Sequence, residues 1–229
     1  TVVGSGDAGK TSSLIAMAYH LTKRGHPVTI VGMDPEPESS LSKLLSYGIP
    51  PEVRRPELTI VDLLKMPFAK AGKAADDMAL AIEDATLHHP AGFGIITVGI
   101  DLVNFEVDGG DILALRNVVE HMTGFVLIDC AAGTGGFSLL SAVAASDYVI
   151  GVAKPQTKSI AIAKRACGLE LNDDSNFLDD LSLTTPEGLV CNPRYLGMIG
   201  NMFVGARLDG GGVKIAESGI STKVREYMN

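Results

Sequence analysis

The chain has 229 residues, 46% of them hydrophobic, 26 of them glycine, and a formal net charge of −8. That length buries a sizeable core as one domain, and no apolar run reaches the roughly 20 residues that cross a bilayer as a helix. The acidity weakens the case for a DNA-binding face without excluding one, because residues 170 to 187 hold six acids and no Lys or Arg.

Abundant Gly and Ala with few aromatics suit an α/β protein with tight helix-to-sheet packing. Nothing reads as a linker, a repeat or a low-complexity tract. The apolar Val2-Val3 opens the chain as a strand and leads into Gly4-Ser5-Gly6-Asp7-Ala8-Gly9-Lys10-Thr11, which fits G-x-x-x-x-G-K-[ST]. In that pattern the glycines let backbone N–H groups turn inward around a phosphate chain. Lys10 supplies a charge for the outer phosphates, and the Thr11 hydroxyl can ligate Mg²⁺. The helix behind it, Ser12 to Arg24 with Leu14, Ala18 and Leu21 on one face and Gly25 as its stop, favours the same anion.

Gly4, Gly6 and Gly9 also spell G-x-G-x-x-G, so a dinucleotide-binding site competes, with Asp34 as its ribose partner. Lys10-Thr11 argues against it, since a dinucleotide needs neither at the mouth of the helix.

Val28 to Val31 is a continuous apolar run, the pattern of a strand covered on both faces, and it ends at Met33-Asp34-Pro35. Ser39 to Ser46 and Ile60 to Lys65 read as short helices, with the Pro-rich Ile49 to Pro56 between them. Lys73 to His88 reads as a longer helix ended by Pro90, with His88 and His89 as charges at its C-terminus. Gly94 to Ile100 is a strand and Asp111 to Met122 a helix. Phe125-Val126-Leu127-Ile128-Asp129 then closes an apolar strand with an acid, followed by Cys130-Ala131-Ala132-Gly133. Asp129 stands where a carboxylate holds a Mg²⁺-bound water, and Gly133 lies on a loop able to sense a γ phosphate.

Phe137 to Ala145 reads as a helix, Tyr148 to Val152 as a strand, Thr157 to Leu169 as a helix and Leu196 to Met202 as the last strand. Lys154 and Lys158 read as helix-start surface residues. The βαβ order predicts a doubly wound, mostly parallel sheet flanked by helices, the P-loop NTPase architecture. Cys130, Cys167 and Cys191 form no paired motif and read as small buried residues of a reducing compartment. Residues 205 to 229 carry four basic and three acidic side chains and read as solvated surface.

These segments resemble the MinD/ParA group of P-loop ATPases, within the wider class of nitrogenase iron protein and arsenite-pump ATPases, over nearly the whole chain. Val31-Gly32-Met33-Asp34-Pro35 is similar to that family's D-x-D-P segment, and Leu127 to Gly133 to its I-D-x-P-A-G switch. Ala145 to Ile150, Lys154-Pro155-Gln156-Thr157 and Ala161 to Arg165 resemble its later A-D-x-x-I-V, T-x-P-E and helix pattern.

The resemblance implies an ATP site over Gly4, Ser5, Gly6, Asp7, Ala8, Gly9, Lys10, Thr11 and Ser12, with Gly133 at the γ phosphate and Asn201 at adenine. A capping role at the strand end is the competing reading of Asn201. Thr11, Asp34 and Asp129 would hold Mg²⁺, partly through water, while Lys10, Asp34 and Asp129 serve a slow hydrolysis in which Asp34 orients the attacking water. It further implies an ATP-dependent homodimer, a stimulating protein partner and a cytoplasmic role in DNA partition or intracellular positioning, with DNA or a membrane as the surface. A metallocentre-assembly ATPase and a non-hydrolysing nucleotide-binding module are the alternatives.

Two departures stand out. Ser5 replaces the lysine that in the family reaches across the dimer to the partner's phosphates, and Gly32 replaces the first acid of D-x-D. The short stub Thr1-Val2-Val3 and the missing last strand and helix after Asn229 predict that residues 1 to 229 are a single domain truncated at both ends.

Overall fold

In a computed structural model, the described residues are 1–34, 41, 58–67, 69, 75–98, 109–132, 137–167, 193–201, 206–209 and 212–215. At the centre of the sheet stand β1 (Val2–Gly4), β2 (Val28–Met33) and β5 (Phe125–Cys130), largely apolar strands, with β1 buried throughout, β2 nearly so and β5 buried over its C-terminal half. Around them stand β3 (Leu87–His88), β4 (Gly94–Ile96), β6 (Tyr148–Ala153) and β7 (Arg194–Gly200), in the order β3-β4-β2-β5-β1-β6-β7. Within this sheet every pairing is parallel except β3 with β4. The doubly wound α/β reading is thereby borne out.

Alternate residues of the strands feed two core layers. Val31, Met33, Ile96 and Ile128 pack with α2 (Ile60–Lys65), α3 (Ala75–Ala85), α4 (Gly109–Glu120) and α5 (Phe137–Ala144). Val28, Ile30, Ile95 and Val152 pack with Leu14 and Ala18 of α1 (Lys10–Lys23). Beside the second half of the sheet, α6 (Thr157–Ala166) lays Ile160 and Ala163 on Ala153. α2 starts with a capping box in which Thr59 and Asp62 satisfy each other's backbone N–H groups. α1 ends as expected, with Gly25 at φ 84 donating to the Thr22 carbonyl.

Three expectations are corrected. The helix read as Lys73 to His88 stops at Ala85, where the Thr86 hydroxyl and N–H turn back onto the Ile82 and Glu83 carbonyls. Leu87 then buries itself on the edge of the sheet opposite Ile95. His88 is therefore an edge-strand residue paired with Glu83, not a helix-terminal charge. A two-residue strand is too short to show alternation, so helix periodicity absorbed it. Leu196 to Met202 is not the last strand: β8 (Ala206–Asp209) and β9 (Gly212–Ile215) form a separate antiparallel hairpin. The Gly-Gly sequence between them was the available signal. The readings for Ser39 to Ser46, Ile49 to Pro56, residues 170 to 187, Cys191 and Gly133 fall outside the described residues, apart from Leu41, which is helical and buried.

Candidate functional site

Val2 of β1 stands opposite Asp129 on one side and Ile150 on the other, and Gly4 opposite Val152. Parallel register therefore delivers the carboxyl ends of β1, β5 and β6 to one rim, where such sheets bind ligands. The loop after β1 rises from that rim and turns into α1 at Gly9, whose φ of 87 and ψ of 30 lie in the left-handed region. A Cβ on Gly9 would strike the Asn201 amide. Asp7, at φ 53, is the one non-glycine residue with positive φ among the described residues. Gly9 offers no side-chain cap, so the first N–H groups of α1 face the loop.

Lys10 is 8% exposed and donates from Nζ to the Ser5 carbonyl at 3.3 Å, spanning the loop. The Thr11 hydroxyl donates to Asp129 Oδ2 at 2.8 Å. Asp129 is 2% exposed, and its Oδ1 is buried with no hydrogen-bond partner among the described residues. Burial pushes its carboxyl up to about 6; the Thr11 hydroxyl and the Lys10 charge oppose that shift, and Asp34 adds to it. Asp34, half-buried just past β2, is thus close enough to Asp129 for their charges to interact.

These residues fit a hard divalent cation. A buried carboxylate oxygen without a partner, beside a hydroxyl on the other oxygen, is the donor chemistry Mg²⁺ takes when phosphates and water complete its shell. No group of three or more His, Cys, Asp or Glu gathers as a metal cage among the described residues.

The structure also places residues to which the sequence assigned no role. The Ser138 hydroxyl, on the first turn of α5, donates to the Met33 carbonyl at 2.6 Å and accepts from the Ala131 N–H at 3.1 Å. It joins the ends of β2 and β5, next to Asp34 and the segment leading to Gly133. Ser5 Oγ and Ser159 Oγ share a 2.6 Å hydrogen bond, and Ser159 also accepts the Lys154 N–H at 3.0 Å. Lys154 is no free surface lysine: its side chain is 23% exposed and its Nζ lies 4.0 Å from Asp7 Oδ2, whereas Lys158 is exposed as read. A lone serine on a helix gives no sequence signal for such a bond. The Asn201 amide donates to the Ala8 carbonyl at 2.9 Å, and its backbone N–H to Ala153.

Gly32 pairs with Asp129 in register, and a Cβ there would lie 2.6 Å from Leu41 Cδ2. The first acid of D-x-D is thus replaced by an apolar contact. Cys130 and Cys167 are free thiols; burial pushes Cys130 up to about 11 and Cys167 to about 12, so neither is a thiolate at neutral pH.

No protein-family model matches the chain. An uncharacterized protein, MJECL24 of Methanocaldococcus jannaschii, is 26% identical over 160 residues, covering 68% of this chain and 58% of that protein. The chain therefore spans little more than half of the curated relative it matches. Among solved structures, cobyrinic acid a,c-diamide synthase of Mycobacterium smegmatis with a bound ATP analogue and magnesium superposes with a TM-score of 0.60 at 21% identity, over 87% of this chain and 72% of that one. The septum site-determining protein MinD of Pyrococcus horikoshii with Mg-ADP gives 0.59 at 19%, covering 100% of this chain and 76% of that one. A Cyanothece McdA complex with ATP gives 0.58 at 17%, covering 87% and 68%.

The chain has the P-loop NTPase fold. Its fold is the one shared by MinD, McdA and cobyrinic acid a,c-diamide synthase.

Proposed function

We propose that this chain binds Mg-ATP between the loop Gly4 to Thr11 and the rim at Asp129, and acts as a slowly hydrolysing, MinD/ParA-like nucleotide-dependent switch. The observation that carries this reading is the junction of loop and strand: Thr11 bonded to a buried Asp129 whose second oxygen has no partner, with buried Lys10 alongside. That neighbours of this fold were solved with ADP, ATP or an ATP analogue supports it.

In this reading Lys10 leaves the Ser5 carbonyl for the outer phosphates, while loop N–H groups and the start of α1 take the remaining phosphate charge. Bound Mg²⁺ supplies charge that offsets the phosphate oxygens. Thr11 would ligate it and Asp129 would hold it through water; the same burial that raises the Asp129 pKa would strengthen that attraction. Asp34 orients the attacking water, and its neighbour Met33 is tied through Ser138 to Ala131, so a γ phosphate sensed near Gly133 reaches both loops. DNA partition or intracellular positioning, on a DNA or membrane surface and with a stimulating protein partner, is the biological role we assign.

Isothermal titration of the full chain tests the reading. Lys10→Ala is expected to abolish tight Mg-ATP binding, and unchanged affinity would sink the assignment. Asp34→Ala is expected to keep binding and stop turnover.

One observation favours a second reading, a nucleotide-dependent binding module without turnover. Ser5 is held against Ser159 and brings no cation to a partner's phosphates. Phosphate release by purified protein, with and without DNA or lipid vesicles, separates the two. Light scattering of Asp34→Ala with Mg-ATP and Mg-ADP tests the homodimer; a dimer seen only with ATP is the expected result.

A further inference from the structure

The loop that would receive the phosphates carries a negative side chain of its own. Asp7 sits at its outer turn, 93% exposed, and a carboxylate there repels a triphosphate. Lys154 stands against it. The register that sets Gly4 opposite Val152 carries the chain past β6 alongside the loop, which brings Lys154 there. Its backbone N–H is anchored on Ser159 Oγ, and that hydroxyl is anchored in turn on Ser5 of the loop. The Lys154 side chain is 23% exposed, and its ammonium meets Asp7 only at 4.0 Å, the outer limit of an ion pair. So long a pair to an exposed carboxylate contributes little, and the ammonium moves from it at small cost. Ser159 is 4% exposed, so the anchor itself is buried.

We infer that Lys154 is a phosphate-binding residue of this site, supplied by the same chain, which leaves Asp7 for the outer phosphate of a bound nucleoside triphosphate while Ser5 and Ser159 hold its backbone in place. This rests on the nucleotide-binding reading above. It gives Ser5 a role of its own: the position contributes an anchor for a cation instead of a cation. A diphosphate, lacking the outermost group, gains less from Lys154, so the residue makes the site prefer triphosphate.

The test is isothermal titration of the full chain with a non-hydrolysable Mg-ATP analogue and with Mg-ADP. Lys154→Met is expected to weaken the analogue about tenfold and ADP no more than about twofold, the size of one charge-assisted contact at a half-open site. Lys154→Arg keeps most of the preference. Asp7→Asn, which suits the positive φ, is expected to tighten the analogue, opposite in sign to Lys154→Met. If Lys154 only braced Asp7, the two variants would change affinity in the same direction and equally for both nucleotides. That result, or an unchanged analogue affinity in Lys154→Met, overturns the inference while leaving the nucleotide site intact. A parent chain that binds neither nucleotide overturns both.

Discussion

Thr11 and Asp129 lie 118 positions apart in the chain and 2.8 Å apart at the site, the threonine hydroxyl donating to the buried carboxylate. The bond ties the first turn of α1 to the end of β5. It leaves one Asp129 oxygen sealed from water without a partner among the described residues, and the pH behaviour of the nucleotide-free protein follows from that.

Burial raises the Asp129 carboxyl from 3.8 to about 6. Between those values the folded state binds more protons than the unfolded chain, so this group's contribution is fully present below the unfolded pKa and is lost as pH rises through about 6. Asp129→Asn removes the ionisation. Urea denaturation is expected to show variant and parent alike near pH 3.5, with the variant gaining up to about 3 kcal/mol on the parent by pH 7.5. With Mg-ATP present the order reverses, because the variant loses binding. A pH-independent difference would refute the assignment.

Ser138 holds the ends of β2 and β5 together through Met33 and Ala131. Ser138→Ala leaves both backbone groups without that partner, at a cost of about 1–3 kcal/mol in stability. Hydrogen exchange at the Ala131 amide should accelerate in the variant while the amides of β6 keep their protection.

Asn201 separates two meanings of one residue. Its amide supports the Ala8 carbonyl, so Asn201→Ala is expected to weaken Mg-ATP and Mg-GTP by similar factors, about tenfold each. A loss confined to ATP would instead assign the side chain to the adenine ring.

Gly32 and Leu41 make a reciprocal pair. Gly32→Asp drives a side chain toward Leu41 Cδ2 and is expected to cost about 1–3 kcal/mol by overpacking. In a Leu41→Ala background the same change should cost clearly less, a coupling that thermal denaturation of the double-mutant cycle would measure.

Much of this was legible in the chain itself. The loop from Gly4 to Thr11 carries its chemistry in consecutive residues, and Val28 to Val31 and Phe125 to Ile128 announce strands by their largely apolar runs. The helix misread as Lys73 to His88 shows where legibility ended: at a two-residue edge strand, helix and strand periods cannot be told apart, and the sheet edge decided the outcome.

Residue order alone determined the glycine-rich loop, the central strands and the parallel order, because each is written in local spacing and apolar runs. Tertiary structure alone decided that Thr11 meets Asp129, that Ser5 is anchored on Ser159, that Lys154 faces Asp7 and that Leu41 fills the space over Gly32. Those contacts join residues far apart in the chain. They depend on strand register and on which rim each loop leaves, and no local pattern encodes either.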